Sequence, residues 1–216
     1  MNQHNIIIAN QYNIISNEFD NSRVRIWNTV KNFLQHIDIN NNKLLDAGCG
    51  NGKNMIYANN IGYDTIGFDI SNELLNICKK KNLKVYYSDV LNNNIDNKYD
   101  KILAIAVLHH LETIDLQILA INNLFNNLEK NGSLLISFWS KEKHFDNNNI
   151  LSKNKNDFRN FDIGPNFVDW KLKNNNIIKR FYYIHDENSI YNLANKITNN
   201  YIINWELQNW FITFYK

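Results

Sequence analysis

Proline occurs once and cysteine twice in 216 residues. Cys49 and Cys78 are too few for a disulfide framework and lack metal-ligand spacing, so both read as reduced, structural thiols and no metal site is expected. No apolar run approaches the roughly 18 residues of a membrane span. The opening MNQHNIII has no basic start, long apolar stretch or small-residue cleavage site. The expectation is a cytoplasmic protein with no membrane attachment. Neither charge sign dominates, with 23 Lys and Arg against 21 Asp and Glu, and there is no internal repeat. What is present is an apolar content of 44% with 13% aromatic residues, which argues against disorder and supports a full core in one domain over 1–216. Asparagine is about one residue in five. Its runs at 40–42, 92–94, 147–149 and 174–176 fall between apolar segments and read as loops, since Asn tolerates turns and left-handed backbone.

The most informative stretch is LLDAGCGNG at 44–52, followed by GFDIS with Asp69. A short apolar strand enters a turn at Gly48, Gly50 and Gly52, where missing side chains let backbone N–H groups approach a ligand. Asp69 ends the next apolar run, where a second parallel strand would present a carboxylate to a ribose diol. The pair reads as a nucleoside-cofactor site. A dinucleotide fingerprint is G-x-G-x-x-G and places a pyrophosphate at a helix N-terminus. Here the pattern is G-x-G-x-G preceded by Asp46, an acid that would repel a pyrophosphate but suits a cationic amino-acid group.

Alternating elements follow. An amphipathic helix is expected over 22–37, with Val24, Trp27, Val30 and Leu34 on one side. Strands are expected at 43–46, 64–69, 83–87, 101–106 and 133–139, and helices at 53–59, 72–80 and 114–129. Ser71 should cap the second of these helices, with Glu73 early in its first turn. Runs such as ILAIAV and LLISFW suit strands buried on both faces. The fold class is therefore α/β, a doubly wound and mostly parallel sheet. A helix at 187–196 and a terminal hairpin, 201–205 with 210–215, complete the chain. The segment 141–180 breaks the rhythm, being long, polar and irregular in aspect. It carries nine Lys and Arg against five Asp and Glu, and that local basic excess favours an anionic partner such as nucleic acid.

The Asp-x-Gly-x-Gly-x-Gly turn resembles motif I of the class I methyltransferases, which bind S-adenosylmethionine. YNIISNEFDNSRVRIW, IAVLHHLET, LLISFWS, FVDWKLK, RFYYIHDE and QNWF together resemble one branch, the eukaryotic tRNA wobble-uridine methyltransferases that esterify 5-carboxymethyluridine. The departures are a short loop before FVDWKLK, Asp169 where the family tends to carry proline, and Asn28 where it often does. The resemblance implies a Rossmann-like seven-stranded sheet whose C-terminal strand is antiparallel. It also implies an N-terminal helical segment, 1–38, capping the cofactor site, and an RNA-binding role for 141–180. It further implies tRNA as substrate and a small zinc-binding activating subunit as partner. For S-adenosylmethionine it implies a site drawn from Tyr12, Asp46, Gly48, Cys49, Gly50, Asn51, Gly52, Asp69, Ile70, Ser71, Asp89, Val90 and Ala106, with Asp89 accepting from the adenine amino group.

Methyl transfer is an in-line displacement, so positioning dominates. A carboxylate acceptor is already ionised near neutral pH and needs no general base. It must be desolvated and oriented, a task suited to a bidentate guanidinium. Arg23 and Arg180 are the candidates, assigned to recognition. His109 and His110 follow the fourth strand, where a doubly wound fold opens its crevice, and are assigned a structural or orienting part. Trp139 and Trp170 are candidates to stack on a base. Two other readings stay open: a small-molecule O- or C-methyltransferase, and an inactive cofactor-binding subunit.

Overall fold

The computed structural model describes residues 2–35, 42–92, 97–142 and 160–216. Three of the asparagine runs lie wholly or partly outside these residues; the fourth forms a turn, with Asn175 at φ 67°.

Strands β1 (Lys43–Ala47), β2 (Asp64–Asp69), β3 (Val85–Tyr87), β4 (Tyr99–Ala104), β5 (Leu128–Trp139), β8 (Tyr201–Trp205) and β9 (Asn209–Tyr215) form one seven-stranded sheet. The order is β3-β2-β1-β4-β5-β9-β8. β1 to β5 pair in parallel, and β9 runs antiparallel to both β5 and β8. The doubly wound sheet with an antiparallel last strand is thus present. Side chains alternate between its faces. Leu45, Ile102 and Leu134 pack under α5 (Ile114–Asn126) and α6 (Glu187–Asn195), with Ile121 and Ile190 among the buried contacts. Leu44, Leu103 and Leu135 pack on the other face with Val30 and Leu34 of α2 (Asn28–Leu34) and Ala58 of α3 (Lys53–Asn60). Helix α4 (Asn72–Lys80) begins as expected, with the Ser71 side chain accepting from Leu74 N–H.

Two expectations need correction. The helix expected over 22–37 is two helices: α1 (Gln3–Ser22) ends at Arg23, and the chain is extended at Trp27 before α2 starts. Residues 36 and 37 lie outside the described residues. Of the expected apolar side, Val30 and Leu34 are fully buried and Trp27 packs against the same cluster, whereas Val24 is 73% exposed. The break is stabilised from afar by Glu206, whose carboxylate accepts from Asn28 N–H, Thr29 N–H and the Thr29 hydroxyl. That capping role is normally filled by the residue before the helix.

The second correction concerns 141–180. Residues 143–159 lie outside the described residues, but β6 (Gly164–Lys171) and β7 (Ile177–Ile184) form a regular antiparallel hairpin. Their turn is built by Asn, and exposure alternates along β6.

Among the described residues no helix is long and apolar enough to cross a membrane. None of their His, Cys, Asp and Glu side chains forms a group of three or more placed to hold a metal.

Candidate active site

The strand order reverses between β1 and β4, and a crevice opens at their carboxyl ends, as doubly wound sheets require. It is a cleft of about 430 Å³. One wall is the turn after β1. Gly48 and Gly52 sit at φ 70° and 77°, and a Cβ would come within 2.4 Å of Val107 Cγ2 at the first and 2.2 Å of Leu83 Cδ1 at the second. Only glycine fits there without strain. The N–H groups do not all face a ligand: Gly48 and Cys49 donate to Phe68 O at 2.8 and 2.9 Å, and Gly52 to Cys49 O. The turn instead brings bare main chain to the cleft.

Gly50 N–H donates to Asp69 Oδ2 at 2.9 Å, and Ser71 N–H to Oδ1 at 2.8 Å. The Asp69 carboxyl, 8% exposed, is thereby fixed at the cleft wall. Burial raises its pKa, and the N–H donors of Ser71, Gly50 and Ile70 pull it back. Asp46 lies beneath the turn, 1% exposed. Burial first, then the charge of Asp69, push its pKa up to about 7, only partly offset by Lys53 and Asn54. Neither carboxyl oxygen has a well-formed hydrogen bond. Asp89 Oδ1 accepts from Leu91 N–H, and Oδ2 accepts from the Asn5 amide at 2.7 Å. The apolar Ile70, Val90 and Leu111 line the cleft with it.

The opposite end is cationic and roofed by α1 and the β6–β7 hairpin. Glu18 ties the two together, accepting from Trp170 Nε1 and Lys173 N–H. Arg180, on β7, is 4% exposed. Its Nη1 donates to Tyr182 OH at 2.7 Å and more weakly to Tyr12 OH at 3.4 Å, while its Nε is buried without a partner. The guanidinium carbon lies 4.8 Å from the Trp170 ring centre and 5.1 Å from that of Tyr182. Arg23 approaches Trp170 too, at 5.1 Å. Among the described residues the ion pairs are His4–Glu112, Lys81–Asp20 and Lys84–Asp64. None involves the cleft cations Arg23, Arg25, Lys53 or Arg180.

His110 bridges the roof and the sheet. Its Nδ1 faces Phe181 O at 2.8 Å and its Nε2 faces Tyr12 OH at 2.8 Å. A carbonyl only accepts, so Nδ1 carries the proton and Nε2 accepts from Tyr12. Burial lowers the pKa of His110 to about 3; the Phe181 carbonyl offsets part of this, and the charge of Arg180 adds to the lowering. The ring is neutral, and both nitrogens are engaged.

The methyltransferase-domain family profile matches residues 19–195. The chain belongs to that family. The tRNA (carboxymethyluridine(34)-5-O)-methyltransferase of Arabidopsis thaliana is 34% identical over 66% of this methyltransferase and 34% of its own length. That of Xenopus tropicalis is 30% identical over 63% and 22%. This chain thus spans about a third or less of those relatives. A solved DhpI–SAM–HEP complex superposes with a TM-score of 0.73 at 12% identity, covering 99% of this chain and 98% of that one. At that identity the likeness bears on the fold, which is the class I methyltransferase fold.

Of the residues expected at the cofactor site, Tyr12, Gly48, Cys49, Gly50, Asn51, Asp69, Ile70, Asp89, Val90 and Ala106 line the methyltransferase cleft. Asp46, Gly52 and Ser71 lie behind the wall, where they shape it. Arg23, His110 and Arg180 line the cleft as well, but His109 does not. It is 1% exposed and stacks on Tyr182 at 4.5 Å. Trp139 lines the cleft with its ring packed against Tyr182 at 4.1 Å and Phe161 at 5.6 Å. Trp170 is held between the roof arginines and Glu18.

Sequence reasoning missed Asn5, Phe19, Lys53 and Tyr182. Tyr182 was within reach, because it stands two residues from Arg180 on a strand and so shares its face. Asn5 carries no local signal.

Proposed function

We propose that this methyltransferase transfers the methyl group of S-adenosylmethionine to a carboxylate carried by tRNA, the 5-carboxymethyl group of a wobble uridine, giving the methyl ester. The observation that carries the proposal is Arg180. A buried guanidinium without an ion pair is costly to maintain, and an unpartnered Nε beside a cleft is the kind of donor that a carboxylate satisfies. The names borne by the relatives supply the RNA.

The chain's residues fit the cofactor. Asp69 stands where a ribose diol can donate to it, Asp89 with Ile70 and Val90 forms an acidic, apolar-walled place for adenine, and Asp46, titrating at about 7, is an acid that a cationic amino-acid end would favour in its ionised form. When bound, S-adenosylmethionine supplies an electrophilic methyl group. The protein's part is then to desolvate and aim the acceptor. Arg180 and Arg23 orient the carboxylate. His110, neutral and engaged at both nitrogens, is not a base, and a carboxylate acceptor needs none. In this reading α1 caps the cofactor site, and the exposed hairpin lysines Lys171, Lys173 and Lys179 meet RNA phosphates. A small zinc-binding activating subunit is proposed as partner, for which β3 and β8 are the open sheet edges.

The test is incubation with labelled S-adenosylmethionine and tRNA carrying 5-carboxymethyluridine, followed by nucleoside mass spectrometry. A methyl ester at the wobble position is expected. RNA affinity should fall steeply with added salt through phosphate contacts. Esterification of small carboxylic acids instead, without RNA binding, would replace the reading with the small-molecule one.

A further inference from the structure

We propose that His110 and Tyr12 act as positioning residues that hold Arg180 with its Nη1 corner turned away from the acceptor and its Nε edge presented to the carboxylate. The inference rests on the reading of Arg180 given above and goes beyond it by assigning how the guanidinium is aimed.

The hydrogen bonds have only one consistent direction. Phe181 O accepts, so His110 Nδ1 donates. His110 Nε2 then has only a lone pair, so Tyr12 O–H donates to it. The Tyr12 oxygen, its proton committed, accepts from Arg180 Nη1, which also reaches Tyr182 OH. Nη1 is thus tied to two hydroxyls, and Nε is buried without a partner. A planar guanidinium can engage a carboxylate through two parallel N–H bonds only along one edge at a time. Tethering the Nη1 corner therefore selects the edge that includes Nε. Were His110 to take the other tautomer, Nε2 would carry the proton and turn Tyr12 O–H back toward Arg180, donor against donor. The Phe181 carbonyl prevents this. The relay joins α1, the turn after β4 and β7, which also meet where Gln11 Nε2 donates to Lys179 O and His4 Nε2 lies 2.8 Å from His110 O.

The test compares RNA stem-loops carrying 5-carboxymethyluridine or 5-carbamoylmethyluridine, bound in the presence of saturating adenosylhomocysteine. The ratio of the two affinities reads carboxylate recognition and is insensitive to a general loss of RNA binding. Tyr12→Phe and His110→Ala are each expected to lower that ratio about tenfold, the scale of one hydrogen bond to a charged group. The double variant should lose no more than either single, because the residues act in one chain. His110→Gln, which keeps an acceptor and a donor on one side chain, should restore most of the ratio. Arg180→Met separates the two levels. If it lowers the ratio while Tyr12→Phe leaves it unchanged, the relay is overturned and the role of Arg180 stands. If it leaves the ratio at the wild-type value, both fall. Should His110→Ala not fold, Tyr12→Phe decides alone, since it keeps the ring that walls the cleft.

Discussion

Asp46→Asn separates the charge of the acid beneath the glycine turn from its shape. In the folded protein Asp46 titrates at about 7, against an ordinary value of 3.8. Between those values the folded state holds a proton that the unfolded chain has released. Stability from this group is therefore fully present below the ordinary value and is lost as pH rises through about 7. A shift of about three units corresponds to about 4 kcal/mol in total at 1.36 kcal/mol per unit. His110 and His185 work in the opposite sense. Burial lowers them to about 3 and about 4, so they contribute stability above the ordinary histidine range that disappears as pH falls. The wild-type profile is a composite, and the difference between wild type and Asp46→Asn isolates one group. Urea unfolding at a series of pH values gives that difference. From about pH 5.5 to 8 the wild type should lose about 2 kcal/mol relative to the variant, the part of the shift inside that window. Saturating adenosylhomocysteine, whose ammonium favours the ionised acid, should flatten the slope. A difference that stays constant with pH would refute the account of Asp46 as a carboxyl held neutral by burial and by Asp69.

Asp69→Ala removes the acceptor for Gly50 and Ser71 N–H together with the carboxylate offered to a ribose. Adenosylhomocysteine affinity should fall at least tenfold, from about 1.5–3 kcal/mol per charged hydrogen bond, and unchanged calorimetric affinity would remove the ribose role. Gly52→Ala places a methyl group 2.2 Å from Leu83 Cδ1 at a φ of 77°. Left-handed strain of roughly 1–2 kcal/mol plus overpacking of roughly 1–3 kcal/mol should lower the urea midpoint clearly; an unmoved midpoint would show that the turn relaxes freely. Glu206→Ala strips the carboxylate from the start of α2. It should destabilise by about 1 kcal/mol, the usual value of a helix cap, and equal stability would mean that water replaces the cap.

The parts of the fold visible in the sequence are those encoded by neighbouring residues. The buried portion of β5 and the end of β4 are near-continuous apolar runs, β1 and β2 carry short apolar stretches that end beside the glycine turn and Asp69, the turn at 48–52 needs glycine for its backbone angles, and Ser71 caps its own helix. The parts not visible depend on distant partners. α1 buries Asn5 and Ser16 beside Ile8 and Ile15, so its apolar stripe is interrupted by polar residues. Asn5 and Asn13 find acceptors or donors in Asp89 and Ser71, and Asp20 pairs with Lys81. The β6–β7 hairpin was hidden because Phe167 and Ile177 face outward, 69% and 54% exposed, which blurs the polar-out alternation, and because its turn is made of asparagine, which also marks irregular loops. At the site, Arg180 and His110 were legible as chemical types at suggestive places. Their joining through Tyr12 spans 98 and 168 residues of sequence, a separation at which no periodicity survives.

The cleft has an electrical polarity that follows from how it is assembled. Its acids, Asp46, Asp69 and Asp89, come from the ends of β1, β2 and β3, so the sheet itself sets their spacing. Its unpaired cations come from other sources: Arg23 and Arg25 from the break between α1 and α2, Lys53 from the first turn of α3, and Arg180 from the hairpin. The segregation is partial, because Lys53 lies close enough to Asp46 to lower its pKa; the buried cation away from the acids is Arg180, and in the proposed reading the positively charged cofactor is drawn to the acids and the anionic acceptor to Arg180. Low-dielectric surroundings strengthen both attractions, and they equally penalise either end left empty. Binding of one ligand should therefore raise the affinity of the other, and RNA affinity that is equal with and without saturating adenosylhomocysteine would refute this. The physical reason is that α1 reaches both ends, giving Asn5 to Asp89 and Tyr12 to Arg180, and is tied to the hairpin by Glu18.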